Sequence, residues 1–466
     1  MYRMQKRRQF YIFLIDILLS LSTIWLMLVI RYQEIPSSYF YIRHIRFFYP
    51  LVILMIIFMY IFNMYSLTTP FNTQRIVARI GFCTVLDVFC GFALFYLNND
   101  ASLTPRRNLL LFLFLYFITL VLWRKLYDLL FIKNKNKPHI IFIDCAKSLP
   151  DFIQHLQQKT YLGFVPTALV LSTPNSHLPE TDKKELLKKI EALKIPITTN
   201  IEDITKFTNQ NYVFVYSKES SITKNLQQFF YKEISLGVPF YSYSEFYELV
   251  NRQVPLEDIN SNWVFQNIDL SRKAPYKVVK RAADVAFSCV ALLLTLWFWP
   301  LIALLIKTTS KGPVFFTQIR EGFAGKQFKI YKFRTMTVAD NTFSPTGIND
   351  ARITPIGNFL RKSRIDEIPQ LLNLFLGDMS LIGPRPERPE LAIELEKEVP
   401  FYRQRLMVTP GITGWDQVSG EYHSPSVEDT RKKLQNDLYY IKNFSFFLDI
   451  SIIAKTVFTV LNRSGR

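Results

Sequence analysis

The chain has 466 residues, 49% hydrophobic and 15% aromatic, and its 56 Lys and Arg against 38 Asp and Glu give a formal charge of +18. That length accommodates about three domains, and the apolar content is rich for a soluble protein. So basic a chain suits nucleic acid, anionic lipid or phosphorylated substrates, and its apolar segments favour the last two, so no nucleic acid partner is expected.

Cys83, Cys90, Cys145 and Cys289 show no CxxC spacing and three of them fall in apolar runs, which argues against a disulfide framework or zinc site. His44, His139, His155, His177 and His423 are scattered, so no histidine metal site is expected.

Four apolar runs fill the first 132 residues: roughly Phe10 to Ile30, Phe47 to Tyr65, Ile76 to Leu97, and Leu109 to Trp123 with an extension to Ile132. A helix needs about 20 apolar residues to cross the hydrocarbon core, so the first three qualify, while the fourth is short before Arg124. The first run lacks a small-residue cleavage pattern and reads as an anchor, not a signal peptide. With the N-terminus inside, Arg3, Lys6, Arg7, Arg8, Arg75, Arg79, Arg124, Lys125, Lys133, Lys135 and Lys137 are cytoplasmic, and Arg31, Arg43, Arg46, Arg106 and Arg107 lie outside. The excess of positive charge inside supports this orientation and puts the chain beyond the fourth run in the cytoplasm.

From Lys137 to Asn267 short apolar strands alternate with polar helices: His139 to Ile143, a helix around Asp151 to Lys159, Thr167 to Leu171, a charged helix from Asp182 to Leu193, and Val213 to Tyr216. This alternation predicts a parallel, Rossmann-like sheet. The turn Asp144-Cys-Ala-Lys-Ser-Leu149 has no glycine where a dinucleotide fold needs close pyrophosphate approach, so the fold is expected without NAD.

A third region begins near Arg272. Its apolar stretch, Ala282 to Ile306, is long enough to span, but Pro300 interrupts it and both flanks are basic, with Lys277, Lys280 and Arg281 before and Lys307, Lys311 and Arg320 after. A broken helix that enters and leaves by the same membrane face satisfies both facts. Next, Val314 to Arg320 and Phe328 to Arg334 flank a turn with Gly322 and Gly325, which predicts a hairpin with Lys332 and Arg334 on one face. Such a pair can cradle a diphosphate or be merely solvated.

The segment Arg361-Lys-Ser-Arg-Ile-Asp-Glu-Ile-Pro-Gln370 then sets Asp366 and Glu367 among Arg361, Arg364 and, further on, Arg385. That composition suits phosphate, though a salt-bridged surface helix has it too. The apolar end of the chain, from Phe444 to Arg466, reads equally as an interfacial helix or a core helix.

Several motifs together resemble a family. They are Lys280-Arg281 with Asp284, Tyr331-Lys-Phe-Arg-Thr-Met336, Arg352-Ile-Thr-Pro-Ile-Gly357, Arg361 to Gln370, Leu376-Gly-Asp-Met-Ser-Leu-Ile-Gly-Pro-Arg-Pro386, Pro410-Gly-Ile-Thr-Gly-Trp415 and Asp437-Leu-Tyr-Tyr-Ile441. In this order they resemble the bacterial sugar transferases, the monotopic phosphoglycosyl transferases that start exopolysaccharide and O-antigen assembly. The apolar N-terminal half with its degenerate Rossmann-like domain is similar to the long form, the polyprenyl-phosphate hexose-1-phosphate transferases.

The resemblance implies that Asp366 attacks the β-phosphate of a UDP-hexose, releasing UMP, and that undecaprenyl phosphate then attacks the aspartyl phosphosugar. It implies Mg2+ as cofactor, with Glu367 as its ligand. Arg361 and Arg385 are the candidates for holding phosphate, and Lys332, Arg334, Lys280, Arg281 and Asp437 join them as expected substrate-binding residues. Pro300 is expected to break the membrane helix, and Pro384 and Pro386 to hold Arg385 on a rigid loop. Two departures stand out: Trp299-Pro300 replaces the family's Ser-Pro, and Glu421 follows Gly420 where many members carry Arg.

The expected architecture is thus a four-helix transmembrane bundle over 1–136, a Rossmann-like parallel-sheet domain without cofactor fingerprint over 137–267, and a mixed α/β catalytic domain over 272–466 with a re-entrant membrane helix at 282–306. A multi-pass protein of the bacterial inner membrane, in contact with membrane lipids, homodimeric and with its catalytic domain on the cytoplasmic face, is the expected setting. Two rivals remain at this point: a non-catalytic scaffold of a polysaccharide assembly complex, and a nucleotide-sugar epimerase or dehydratase. Which UDP-sugar is used is not legible, because selectivity rests on a few pocket contacts.

Overall fold

The computed structural model describes residues 2–62, 64–65, 74–97, 105–132, 137–144, 146–159, 162–171, 180–199, 212–217, 224–337, 350, 352–419 and 426–461. Lys133, Lys135, Cys145, His177, Glu421, His423, Arg463 and Arg466 lie outside the described residues. The chain divides into two compact units, Met1–Asp258 and Ile259–Arg466.

The first unit opens with four long helices, α1 (Tyr2–Tyr32), α2 (Ser38–Ile61), α3 (Gln74–Leu97) and α4 (Pro105–Tyr127). Each packs on its sequence neighbour and α1 also packs on α4, which closes a four-helix bundle. Ile24, Met27, Met55, Phe112 and Tyr116 fill its interior, whereas Leu18, Phe89 and Phe114 point outward, as residues facing lipid do.

Arg124, before which the fourth apolar run is short, does not end the helix, in keeping with the extension to Ile132. The helix continues through it, and Arg124 turns into the bundle and pairs with Asp16 through two bonds of 3.0 and 2.7 Å. Both side chains are buried, so the charge that interrupts the hydropathy is neutralised by a partner 108 residues away.

Beyond the bundle, β1 (His139–Ile143), α5 (Leu149–Gln158), β2 (Val165–Val170), α6 (Glu180–Ala192), β3 (Ile197–Thr198), β4 (Tyr212–Tyr216), α7 (Lys224–Ser235), β5 (Phe240–Ser242) and α8 (Tyr243–Asn251) form an α/β layer structure. Among the described residues the sheet is parallel, in the order β3-β2-β1-β4-β5. After His139 the central strand β1 is apolar, Ile140 to Ile143, because both its faces are covered. Ile140 and Phe142 meet Phe152 and Phe246, while Ile141 and Ile143 meet Phe214 and Phe230.

At the turn after β1, where a dinucleotide fold presents backbone amides to a pyrophosphate, the Asp258 carboxylate is seated. It accepts from the Lys147 amide at 2.7 Å, from the Ser148 amide at 3.4 Å and from the Ser148 hydroxyl. The chain's own anion occupies the seat.

In the second unit, α9 (Ser261–Asn267) comes first. The Lys442 ammonium lies 5.1 Å from the Trp263 ring centre and ties α9 to this unit. Then α10 (Ala274–Thr295) leads through a 3-10 turn at Leu296–Phe298 into α11 (Trp299–Thr309). Pro300 sits in the first turn of α11, where its missing N–H is least disruptive.

Both arms rest on the same unit: Asp284 on α10 accepts from the Leu381 amide at 3.0 Å, and Trp299 and Ile306 on α11 pack with Phe333. Their other faces carry exposed Leu293, Leu294, Trp297, Leu301 and Leu304. Gln9–Tyr32, Ser38–Ile61, Ile76–Leu94, Arg107–Leu130 and Ala274–Thr309 are long and apolar enough to cross a membrane.

The rest is mixed: β6 (Phe315–Glu321) and β7 (Gln327–Phe333) form an antiparallel hairpin, followed by α12 (Pro355–Lys362), α13 (Gln370–Leu376), β8 (Ser380–Ile382), α14 (Pro389–Glu398), β9 (Gly411–Thr413), α15 (Val427–Asn443) and α16 (Phe446–Leu461). Strands β8 and β9 pair in parallel. In α16 one face is core, with Asp449, Ile452 and Ala454 buried, and the other exposes Phe446, Phe447 and Ile453.

Candidate active site

Asp366 and Glu367 occupy a single 3-10 turn, Ile365–Glu367, between α12 and α13. Ile365 and Ile368 pack into the cluster around Ile306, Phe333 and Leu360, which anchors one side of the turn. Entry is through Arg364, a non-glycine residue in the left-handed region with φ +57. Upstream, α12 is locked to the end of the hairpin: a Cβ on Gly357 would lie 1.9 Å from the Thr335 carbonyl oxygen, so only glycine permits this approach.

Cations converge on Glu367. Lys332 on β7 donates to Oε1 at 2.9 Å and Arg385 donates to the same atom at 2.8 Å, while Arg364 stands 3.7 Å from Oε2. Burial by itself raises the pKa of Glu367, but Arg385 and Lys332 outweigh it and hold the carboxyl well below the usual range. Asp366 is shifted the other way. Burial and the neighbouring Glu367 charge raise it, against the pull of Lys332, Arg361 and Arg364.

The hairpin reading put Lys332 and Arg334 on one face, either to cradle a diphosphate or to be solvated. In the structure the pair separates: Lys332 goes to Glu367, and buried Arg334 donates to the Ser310 carbonyl at 2.8 Å.

Arg385 stands on a loop whose backbone is held at four successive carbonyls. The Pro384 oxygen accepts from the Gly411 amide at 2.9 Å, Arg385 from the Arg405 guanidinium at 2.8 Å, Pro386 from Arg320 at 3.1 Å and Glu387 from the Glu321 amide at 2.9 Å. Besides their fixed φ, Pro384 and Pro386 thus contribute acceptors that tie the loop to β9 and β6. Glu387 pairs with Lys433 and, at 3.6 Å, with Arg320. Burial raises its carboxyl, and Lys433 and Arg405 reverse this, lowering it to about 2.

The remaining expected substrate ligands have partners within the protein. Arg281 donates to the Leu374 and Phe375 carbonyls at 2.6 and 2.7 Å, capping α13. Lys280 pairs with buried Asp449. Asp437 is 1% exposed and pairs with buried Arg405 at 3.0 Å. These contacts tie elements of this unit together, and for Asp449 and Asp437 they compensate a buried charge. Arg405, Arg320, Glu387 and Lys433 escaped the sequence reading of the site, because nothing local in the sequence marks which of its many charges face one another.

Among the described residues no group of three or more His, Cys, Asp or Glu forms a metal cage. A magnesium ion needs fewer protein ligands, since it is commonly held by one or two carboxylates plus substrate phosphates. Asp366 and Glu367 are the two carboxylates of the turn that such an ion could use, and Glu367 Oε2 lies outside the two short cation bonds.

Residues 275–463 match the family described as Bacterial sugar transferase. The chain is 40% identical over 235 residues to the UDP-N-acetylgalactosamine-undecaprenyl-phosphate N-acetylgalactosaminephosphotransferase of Aeromonas hydrophila, covering 49% of this chain and 53% of that one. It is 43% identical over 195 residues to the UDP-glucose:undecaprenyl-phosphate glucose-1-phosphate transferase of Xanthomonas campestris pv. campestris, covering 40% of each. The matched part thus spans about half the length of these relatives or less. Against the exopolysaccharide production protein PSS of Rhizobium leguminosarum bv. phaseoli the identity is 43% over 194 residues, 40% of this chain but 96% of the relative. The chain belongs to the bacterial sugar transferase family.

Proposed function

We propose that the protein transfers a hexose-1-phosphate from a UDP-sugar to undecaprenyl phosphate, the first membrane step of a bacterial surface polysaccharide. The observation that carries this reading is the divergence of Asp366 and Glu367. One carboxylate is clamped as an anion by two cations, while its neighbour is left with a raised proton affinity and lies next to them. Paired carboxylates with opposed environments mark divided chemical roles.

An Asp366 carboxylate oxygen attacks the sugar-bearing phosphorus of the diphosphate. The bond from that phosphorus to the bridging oxygen breaks, and UMP departs with the oxygen. An oxygen of undecaprenyl phosphate then attacks the same phosphorus, freeing Asp366 and giving undecaprenyl-diphosphate-sugar. Arg361 and Arg364, whose charges already act on Asp366, offset the repulsion between carboxylate and phosphate. Glu367 would hold magnesium, whose charge would further offset that of the diphosphate.

The acceptor lipid requires a site at the membrane surface. Two apolar arms joined through the turn Leu296–Phe298, both resting on the catalytic unit, support a re-entrant insertion from the cytoplasmic face. Replacing Asp366 by Asn in the full-length protein abolishes UMP release from UDP-sugars while leaving membrane insertion intact. Undiminished UMP release by that variant refutes the nucleophile.

A further inference from the structure

We propose that Arg405 and Asp437 are positioning residues for this transfer: they index the backbone of the Pro384–Pro386 loop so that the Arg385 guanidinium meets Glu367. The inference rests on the reaction proposed above and assigns the placement of one of its charged groups.

Arg405 is nearly inaccessible and its guanidinium makes three directed bonds, to the Tyr402 hydroxyl at 2.8 Å, the Arg385 carbonyl at 2.8 Å and the Asp437 carboxylate at 3.0 Å. Its aim is fixed by Asp437, and what it aims at is the main chain of Arg385. From the same residue the Arg385 side chain reaches Glu367 Oε1 at 2.8 Å. Helix α15 supplies a second contact to the loop, since Lys433, one turn before Asp437, pairs with Glu387. The helix thus grips residues on both sides of Pro386.

A buried ion pair is a poor stability device, because apolar residues of equal volume hold a core as well or better. What an apolar pair cannot supply is a donor at the Arg385 carbonyl. A charge that must meet a developing charge gains most when it is placed beforehand, and small displacements of such groups are expensive in rate.

The test uses the full-length protein in nanodiscs with UDP-sugar and undecaprenyl phosphate, following UMP release. Arg405→Lys keeps the charge but loses the fork, and Asp437→Asn keeps the volume but frees Arg405. Each is expected to lower kcat about tenfold. In an Arg385→Ala background the same changes are expected to cost less than about twofold, since the group they position is gone. Equal losses in both backgrounds overturn the proposal, because a general structural defect acts in either.

Hydrogen exchange provides a readout that does not need activity. The Gly411 and Glu321 amides, which bond the loop carbonyls, are expected to exchange about tenfold faster in Arg405→Lys while the amides of α10 are unchanged. Unchanged exchange at Gly411 and Glu321 overturns the proposal. If the unmodified protein releases no UMP from any UDP-sugar, the functional reading fails, and the exchange experiment still decides the placement. Tyr402→Phe, which removes a single bond to Arg405, serves as the milder variant should the others not fold, with the same pattern expected in smaller measure.

Discussion

Asp366 and Glu367 are adjacent in a single turn, yet the structure drives their acidities in opposite directions. Glu367 sits between Lys332 and Arg385, brought from a strand and a loop, whereas Asp366 makes no comparable ion pair among the described residues. The difference is one of tertiary placement, since the two side chains share a backbone environment.

Glu367→Gln leaves Lys332 and Arg385 facing each other without an anion. A loss of about 3 kcal/mol in stability is expected, as for other broken buried pairs, together with a fall in UMP release of about 100-fold. Thermal unfolding in detergent and the UMP assay measure the two effects separately. Unfolding and turnover both equal to those of the parent protein show that the cluster does not depend on this carboxylate.

Gly357→Ala places a methyl group 1.9 Å from the Thr335 carbonyl oxygen, a backbone atom that cannot rotate away. The hairpin end and α12 must separate, at an expected cost of about 2 kcal/mol. The catalytic turn is displaced with α12, so UMP release falls along with the unfolding temperature.

Burial raises the Asp258 carboxyl to about 6, against the lowering effect of its bonds from Ser148 and Lys147, and Glu257 adds a smaller upward push. A folded-state value above the unfolded one of about 4 means that folding favours the protonated form. Its contribution is therefore greatest below pH 4 and is lost as the pH rises through 6. Hydrogen exchange in α5 and the β1 turn is expected to slow between pH 7 and pH 5, after correction for intrinsic rates, by a stabilisation of about 1 kcal/mol. Asp258→Asn removes that dependence; a slope that survives the substitution belongs to another group.

Single cysteines at Ser271 and Lys311, in a protein whose native cysteines are replaced by serine, report the path of the broken helix. Both are expected to react with a membrane-impermeant maleimide from the cytoplasmic side in inverted vesicles. A Lys311→Cys protein labelled only in right-side-out cells means that Ala274–Thr309 spans.

Periodicity and composition carried much of the architecture. The apolar runs became α1 to α4, His139 to Ile143 became a doubly covered central strand, and the glycines between two β-prone runs became the β6–β7 hairpin turn. These elements are legible because each repeats a local pattern that only one secondary structure buries well. Boundaries were less so. Arg124 ended the fourth run in hydropathy but not in space, because hydropathy counts a charge without knowing whether Asp16 stands opposite.

By itself, then, the sequence determined the apolar bundle, the alternation of strands and helices, and the presence of two carboxylates among basic residues, since all depend on neighbours along the chain. Only the tertiary structure decided which charges meet. Lys332 joins Glu367 across 35 residues, Arg281 caps a helix 93 residues on, and Asp437 orients Arg405 from 32 residues away. Coulombic and hydrogen-bond partners act over a few ångströms, and no local pattern encodes which distant segments packing will bring that close.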